Sequence, residues 1–205
     1  MTRNIRFLGA VLATLVATSG MFGCDKVADA IGKKAKEKAA EEVAKAIEGG
    51  GVASTGGPNL FADASSIPTK FQEKVNPARA LELLVYPDWS KTQLQDPNKK
   101  LNVDEFTYRG GTVSDGAPVK FIGKQPTEAD IQRQSFDLTT IDFTQVPKMV
   151  ADAPVQLKYE DAKVTHMILK HNMQGKLHWR VYVNSPRRSG SVEYDTKGAK
   201  QKVWE

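Results

Sequence analysis

The sequence predicts an α+β fold: an antiparallel sheet with helices packed on one face, preceded by a helical stalk. Three observations lead to this prediction. Helix-like and strand-like segments recur in the same order in two parts of the chain, about residues 70–125 and 136–200. Within each part the strands follow one another through short turns, as in an antiparallel meander. An Ala/Lys/Glu-rich segment and a glycine-rich segment stand between the N-terminus and these repeat-like halves.

The stalk is predicted over residues 24–48. Residues 25–48 hold seven alanines, six lysines and six acidic residues, and Ala, Lys and Glu are strong helix formers. The apolar stripe consists mostly of alanines and buries little area. A solvated helix therefore fits, and so does a helix that lies on a membrane or pairs with a partner helix. Residues 49–58 contain five glycines and are predicted to be a flexible linker, so the globular domain is placed at 59–205.

The first unit of the domain is predicted to be a helix followed by three strands. Residues 77–84 (PARALELL) are assigned to the helix, because proline is favoured in the first helical turn and apolar residues lie on one side. Gly110 and Gly111 are assigned to a tight turn. The strands are predicted over residues 89–95, 103–109 and 112–122, the last one broken near Gly116.

The second unit repeats this order. Its helix is predicted over residues 146–153 and its strands over 164–171, 177–183 and 191–194, the last clear strand before a turn at 195–198. In the middle strand Leu177, Trp179, Val181 and Val183 alternate with His178, Arg180 and Tyr182. Alternate residues of a strand point to opposite faces, so the first set is assigned to the core and the second to the open face. Phe136, Leu138, Ile141 and Phe143 are expected to pack onto the core, and the tryptophans are expected mainly inside it.

The N-terminus begins with a basic segment that contains Arg3 and Arg6. An apolar run follows over residues 7–17, and Gly23 precedes the single cysteine, Cys24. This pattern is typical of a secretory signal peptide over residues 1–23 and is too short for a spanning helix. With a cysteine directly after the cut, it resembles the lipobox of bacterial lipoproteins.

In lipoproteins the cysteine thiol receives a diacylglycerol, and the new N-terminus receives an acyl chain such as palmitate. The resemblance therefore implies a lipid anchor on Cys24 and a mature chain in the cell envelope, facing the periplasm or the cell surface. Asp25 is similar to the inner-membrane retention signal of enteric bacteria and slightly favours that membrane. The alternative is a secreted protein with an incidental thiol.

A second resemblance concerns the domain. The element order, with WRVYV at 179–183, RRSGSVEYD at 187–195 and the closing DTKG at 195–198, resembles the PepSY and beta-lactamase-inhibitor-like domains of bacterial envelopes. These are small helix-plus-meander units, sometimes in tandem. The resemblance covers about residues 70–200. It implies a binding or regulatory role rather than catalysis and supplies no functional residues.

The charge of the chain argues against a nucleic-acid partner. The full chain carries +5, and loss of Arg3 and Arg6 with the signal peptide leaves +3. These charges are scattered, whereas nucleic-acid binding favours a concentrated basic face. The expected partners are the membrane, through the N-terminal lipid, and an envelope protein or peptide.

The candidate partner-binding residues are Arg180, Tyr182, Arg187 and Arg188. Arg187 and Arg188 lie in the turn after the strand that carries Arg180 and Tyr182. Arg and Tyr are enriched at protein interfaces, so this region is a candidate contact surface for an acidic partner or for lipid headgroups. A solvated hairpin tip is the alternative.

Catalytic chemistry is not predicted. The three histidines, His166, His171 and His178, fall in one hairpin, but residues five apart on a strand point to opposite faces. No metal site, cofactor or catalytic residue is therefore assigned, and the chain is expected not to be an enzyme. The expected function is a non-catalytic binding or regulatory domain anchored in the envelope. The alternatives are a structural or assembly accessory that uses the stalk as its contact and, less favoured, a metal-binding protein or hydrolase.

Overall fold

The computed structural model describes residues 59–205. The signal peptide, Cys24, the stalk and the linker lie outside the described residues. The described helices are α1 (Ile67–Lys74), α2 (Glu128–Gln134) and α3 (Val146–Leu157). The strands are β1 (Arg79–Val85), β2 (Trp89–Gln95), β3 (Val103–Arg109), β4 (Thr112–Val113), β5 (Ala117–Pro118), β6 (Phe136–Asp137), β7 (Lys163–His171), β8 (Leu177–Asn184), β9 (Ser189–Tyr194) and β10 (Lys200–Trp204).

The strands form one antiparallel sheet in the order β10-β9-β8-β7-β1-β2-β3-β4, with β5 paired to β3 and β6 paired to β1. Strands β1–β4 form one meander and β7–β10 form a second. The two meanders join at the centre of the sheet, where Leu83 of β1 lies opposite Leu169 of β7. The predicted α+β class, with an antiparallel sheet built from two helix-plus-meander units, is confirmed.

One face of the sheet forms the core together with α1 and α3. Alternate strand residues such as Leu83, Leu169 and Trp179 are fully buried, as the period of a half-buried strand requires. Helix α1 packs over β3 and β4, and α3 packs over β7, β8 and β9. Helix α3 buries residues at helical spacing, namely Val146, Met149, Val150, Ala153 and Leu157. The segment between the units packs on the core as predicted, with Phe136, Leu138 and Phe143 buried and Ile141 partly buried.

The prediction of a helix over residues 77–84 is wrong. Residues 79–85 form β1, which lies between β2 and β7 and is paired on both edges. Its Ala, Leu and Glu residues favour helices, but burial of Leu83 and Val85 between two neighbouring strands outweighs that preference. The helix of the first unit is α1, eight residues with Pro68 in its first turn.

The strand predicted over residues 112–122 is wrong in length, because only Thr112–Val113 and Ala117–Pro118 form strands there. The helix predicted over residues 146–153 continues to Leu157. Strands β2 and β3 have the predicted bounds, and β7, β8 and β9 begin or end within two residues of theirs. Gly110 and Gly111 form the predicted turn with φ of 58° and 83°, values that glycine adopts without steric cost. Residues 191–194 are not the last strand, because β10 follows and covers the edge of β9. Among residues 59–205, no helix combines the length and the hydropathy that crossing a membrane requires.

A partly buried hydrogen bond ties α3 to β9. The hydroxyl of Tyr194 donates to Oδ2 of Asp152 at 2.8 Å, and Tyr194 is almost fully buried. Burial, and then the hydrogen bond and negative charge of Asp152, raise the pKa of the Tyr194 hydroxyl above its usual value of 10. The folded state therefore holds this proton at a pH at which the unfolded chain releases it.

This pKa predicts an alkaline loss of stability. Because the pKa is raised on folding, the contribution of Tyr194 is fully present below about pH 10 and falls above it by up to about 1.4 kcal/mol per pH unit. Tyr194→Phe should cost about 1–2 kcal/mol at pH 8, the value of such a hydrogen bond, and should lose less stability than the wild type between pH 10 and 11. Urea unfolding at these pH values measures both effects. Parallel pH profiles for the two proteins would contradict the prediction.

Candidate functional site

The face of the sheet that points away from α1 and α3 is called the open face. Cross-strand partners there include Leu84 with Ile168, and Ile168 with Arg180. Its side chains are mostly half-buried rather than sealed in a core. The open face includes Glu82, Leu84, Lys91, Glu105, His166, Ile168, Lys170, Arg180, Tyr182, Glu193, Lys202 and Trp204.

Four aromatic rings stack in a row across this face. Trp89 and Tyr86 have ring centroids 4.1 Å apart with planes 8° from parallel. Tyr86 and His166 are 5.1 Å apart, and His166 and Tyr182 are 4.3 Å apart. This aromatic row links the turn between β1 and β2 to β7 and β8. The two inner rings, Tyr86 and His166, are covered on both faces by neighbouring rings. A partner would therefore contact the ring edges of the row, including the hydroxyl groups of Tyr86 and Tyr182.

Arg180 extends the row toward the sheet edge. Its guanidinium carbon lies 5.3 Å from the ring centroid of Tyr182 and 5.1 Å from that of Trp204, within the range of cation–π attraction. Its Nε donates to Oγ of Ser191 at 2.9 Å. These contacts hold the guanidinium in place, so a partner would not need to immobilise it. Trp204 keeps 39% of its surface exposed, and Nζ of Lys202 also lies 3.4 Å from its ring centroid.

The charges of the open face are largely paired with one another. Three ion pairs join neighbouring strands and keep the face close to neutral, so it has little long-range attraction for a charged partner. Exposed ion pairs of this kind contribute little to stability. Binding here would come from the Tyr, Trp and Arg side chains that dominate interface energetics. The pairs are Lys91 with Glu105 at 3.1 Å, Lys170 with Glu82 at 3.4 Å, and Arg180 with Glu193 at 3.9 Å.

The structure divides the predicted partner-binding residues between two places. Arg180 and Tyr182 lie together on the open face. Arg187 and Arg188 lie in the turn between β8 and β9 and line a cavity of about 630 Å³. Arg188 is held there, with its guanidinium carbon 5.9 Å from the ring centroid of Tyr159. This turn cavity also contains Lys158, Glu160 and Asp161, so both signs of charge meet in it.

A second cavity, called the end cavity, lies where the two meanders meet at one end of the sheet. Its volume is about 790 Å³, within the range of small-molecule sites. It borders the turn cavity, since both are lined by Asp161, Ser185 and Pro186. The lining of the end cavity also includes Tyr86, Asp88, Trp89, Arg109, Lys163 and Asn184.

The tryptophans are not all in the core. Trp179 is fully buried as predicted, with the edge of its ring against Phe143. Trp89 and Trp204 instead contribute to the aromatic row and to the Arg180 contacts. For Trp204 the sequence holds an indication, because Lys200 and Lys202 share its parity and place it on the solvent side of a strand. Trp89 stacks on Tyr86, which is close in sequence. Tyr86 in turn stacks on His166, about 80 residues away, and the sequence alone does not pair these two.

The three histidines do not converge. His166 lies in the aromatic row, and Nδ1 of His171 is 2.8 Å from the backbone oxygen of Gln134. His178 is buried with Nε2 3.7 Å from Oε1 of Glu193. Within residues 59–205 no group of three or more His, Cys, Asp or Glu side chains is placed to hold a metal ion.

His166 makes the domain sensitive to acid. Burial between Tyr86 and Tyr182 lowers the pKa of His166 below its usual 6.5. The folded state binds this proton less readily than the unfolded chain, so the contribution of His166 is present above about pH 6.5 and is lost as the pH falls. His166→Phe keeps a ring in the row and removes the titration. Urea unfolding at pH 7.5 and 5.0 should show a smaller acid loss for His166→Phe than for the wild type, and an equal loss would contradict this.

Comparison with known proteins bears on the fold. No protein-family model matches the sequence, and no curated protein matches it. A solved structure from Clostridium difficile 630, described as a putative lipoprotein, is similar with a TM-score of 0.50. The two chains are 17% identical, and the alignment covers 70% of this chain and 90% of that one. The similarity shows that the two proteins share the fold.

Proposed function

We propose that this chain is a lipoprotein of the cell envelope, anchored through Cys24, whose α+β domain binds a protein or peptide partner without catalysis. The domain would face the periplasm or the cell surface. The partner would lie across the open face, on the aromatic row and the neighbouring Arg180 and Trp204.

The anchor rests on the N-terminal sequence. A basic start, an apolar run over residues 7–17 and Gly23 before Cys24 fit a lipobox. The solved structure that shares the fold is described as a putative lipoprotein, which supports the same placement. An Ala/Lys/Glu stalk and a glycine-rich linker would then let the domain reach a partner away from the membrane.

The binding role rests on one observation, the clustering of Tyr182, Arg180 and Trp204 on the open face with Arg180 held between the two rings. Tyr, Trp and Arg are the residue types that contribute most at interface hot spots. Here they are already ordered, so binding would lose little side-chain entropy. The envelope location and the resemblance to PepSY-like binding domains agree with this role.

Crosslinking in cells followed by affinity capture tests the proposal with the full anchored chain. The open-face variant is Tyr182→Ala/Trp204→Ala, and the turn variant is Arg187→Ala/Arg188→Ala. Val155→Ala is the matched control, because Val155 lies on α3 and is 68% exposed. We expect the open-face variant to capture at least about tenfold less of a specific envelope protein, since two hot-spot side chains of about 1–2 kcal/mol each are removed. The control should capture as much as the wild type.

The other outcomes are equally informative. Loss only in the turn variant would contradict the open-face site and move binding to the turn cavity. Loss only on deletion of residues 25–48 would favour an assembly accessory that uses its stalk. Capture of no partner by any form would contradict the protein-binding proposal.

A further inference from the structure

We propose that the end cavity binds an uncharged sugar, with a pyranose ring packed on Trp89. The site shares Tyr86 and Trp89 with the aromatic row, but Arg180, Tyr182 and Trp204 are not among its lining residues. Variants of Tyr182 and Trp204 therefore test the partner surface, and variants of Asp88 test the sugar site. The aromatic row connects them, since Trp89 is its outermost ring on the side of the end cavity.

The walls of the end cavity are formed by the ends of strands and the turn between two of them. It lies between the turn that joins β1 to β2, the end of β3, the start of β7 and the end of β8. Both meanders therefore contribute walls, and the cavity exists only because β1 and β7 pair at the centre of the sheet. Its volume of about 790 Å³ is sufficient for a ligand of one or more sugar rings.

Trp89 supplies the apolar surface. One face of its indole ring stacks on Tyr86 at 4.1 Å. Among the described residues, no second aromatic ring and no cation lies over its other face. A pyranose carries a face of C–H groups that packs on such a ring, as other apolar surfaces do. Because stacking on Tyr86 fixes the orientation of Trp89, the Trp89 side chain would lose little conformational entropy when a sugar binds.

The polar side chains of the end cavity can form hydrogen bonds with the hydroxyl groups of a sugar. Nη2 of Arg109 and Oδ2 of Asp88 are 2.8 Å apart, so donors and an acceptor lie side by side next to Trp89. Asn184 adds an amide to the lining, and its Oδ1 already accepts a hydrogen bond from Ser189 Oγ, which leaves its NH₂ group as a donor. Sugar hydroxyls both donate and accept, so they can bond to both kinds of group.

The charge of the lining argues for a neutral ligand. Two basic residues, Arg109 and Lys163, are balanced by two acidic residues, Asp88 and Asp161. An anion would have to approach two carboxylates, and a cation would have to approach two bases. A neutral, polyhydroxylated ligand meets neither repulsion.

Calorimetric titration of the full lipidated chain tests the site, in a detergent without a sugar headgroup. The uncharged probes are chitotriose and maltotriose, and trigalacturonate is the charged comparison. We expect one uncharged probe to bind with about millimolar affinity or better, and Trp89→Ala to weaken it at least tenfold. Asp88→Asn keeps the size of the side chain, so the variant is expected to fold as the wild type does. Loss of the carboxylate should weaken sugar binding severalfold. Trp204→Ala, on the open face away from the cavity, should bind as the wild type does.

Three results would overturn the proposal. One is the absence of heat and of tryptophan fluorescence change with both uncharged probes at about 10 mM, well above a millimolar dissociation constant. Another is binding that survives both Trp89→Ala and Asp88→Asn. The third is tighter binding of trigalacturonate than of either neutral trisaccharide, which would identify a basic site instead.

Discussion

Trp179→Ala is expected to lower the free energy of unfolding by about 3–5 kcal/mol, the range for removal of a large buried aromatic side chain. Trp179 is fully buried on β8, between β7 and β9 in the sheet. It packs edge-on against Phe143, with ring centroids 5.7 Å apart. Its loss would leave a cavity under α3 that neighbouring strands cannot close. Urea unfolding monitored by far-UV circular dichroism measures the change.

The matched control is Trp179→Phe. The indole Nε1 of Trp179 is buried without a hydrogen-bond partner among the described residues. Phenylalanine therefore removes volume but no hydrogen bond, and the loss should be clearly smaller than for alanine. Equal losses for the two variants would show that the stability depends on the indole nitrogen rather than on packing.

Cys24→Ser is expected to abolish the palmitate label and, once residues 1–23 have been removed, to release the chain from the membrane fraction almost completely. If Cys24 carries two or more acyl chains, each buried methylene contributes about 0.8 kcal/mol to anchoring, and serine accepts no thioether-linked lipid. Cell fractionation and metabolic labelling with palmitate measure the anchor. Gly23→Ala keeps a small residue before the cut and should leave both readouts unchanged.

Two results would contradict the anchor. Wild-type protein without palmitate label would exclude the lipoprotein proposal. Membrane association that persists in Cys24→Ser after residues 1–23 have been removed would assign it to another contact, for which the stalk over residues 25–48 is the candidate.

The sequence predicts the meanders better than the helices. Strands β3 and β8 alternate in polarity, and that pattern depends only on which face is buried. Residues 79–85 lack it, because β1 lies at the centre of the sheet and contains a register shift between Ala80 and Glu82. The local composition of β1 favours a helix, and its pairing with β2 on one edge and with β7, distant in sequence, on the other makes it a strand.

The candidate site follows from the sequence only in part. Alternation along β8 places Arg180 and Tyr182 on one face, and the structure puts both there. The aromatic row is not visible in the sequence, because Tyr86 and His166 are brought together by the β1–β7 pairing. Arg187 and Arg188 follow Tyr182 closely in the chain, yet the turn between β8 and β9 places them in the turn cavity and not on the open face. Proximity in sequence is therefore a poor guide to a site built across strands.

Cysteine accessibility in intact cells tests most directly whether the open face is occupied. The chain has a single cysteine, and its thiol would be blocked by lipid, so an introduced cysteine would be the only reactive one. Lys202→Cys places a thiol on the open face, and Val155→Cys places one on the exposed side of α3. The labelling rate with a membrane-permeant maleimide is compared between cells and purified protein. We expect Lys202→Cys to be labelled severalfold more slowly in cells, relative to Val155→Cys. If the ratio of the labelling rate in cells to that in purified protein were the same for Lys202→Cys and Val155→Cys, this would contradict a partner on the open face.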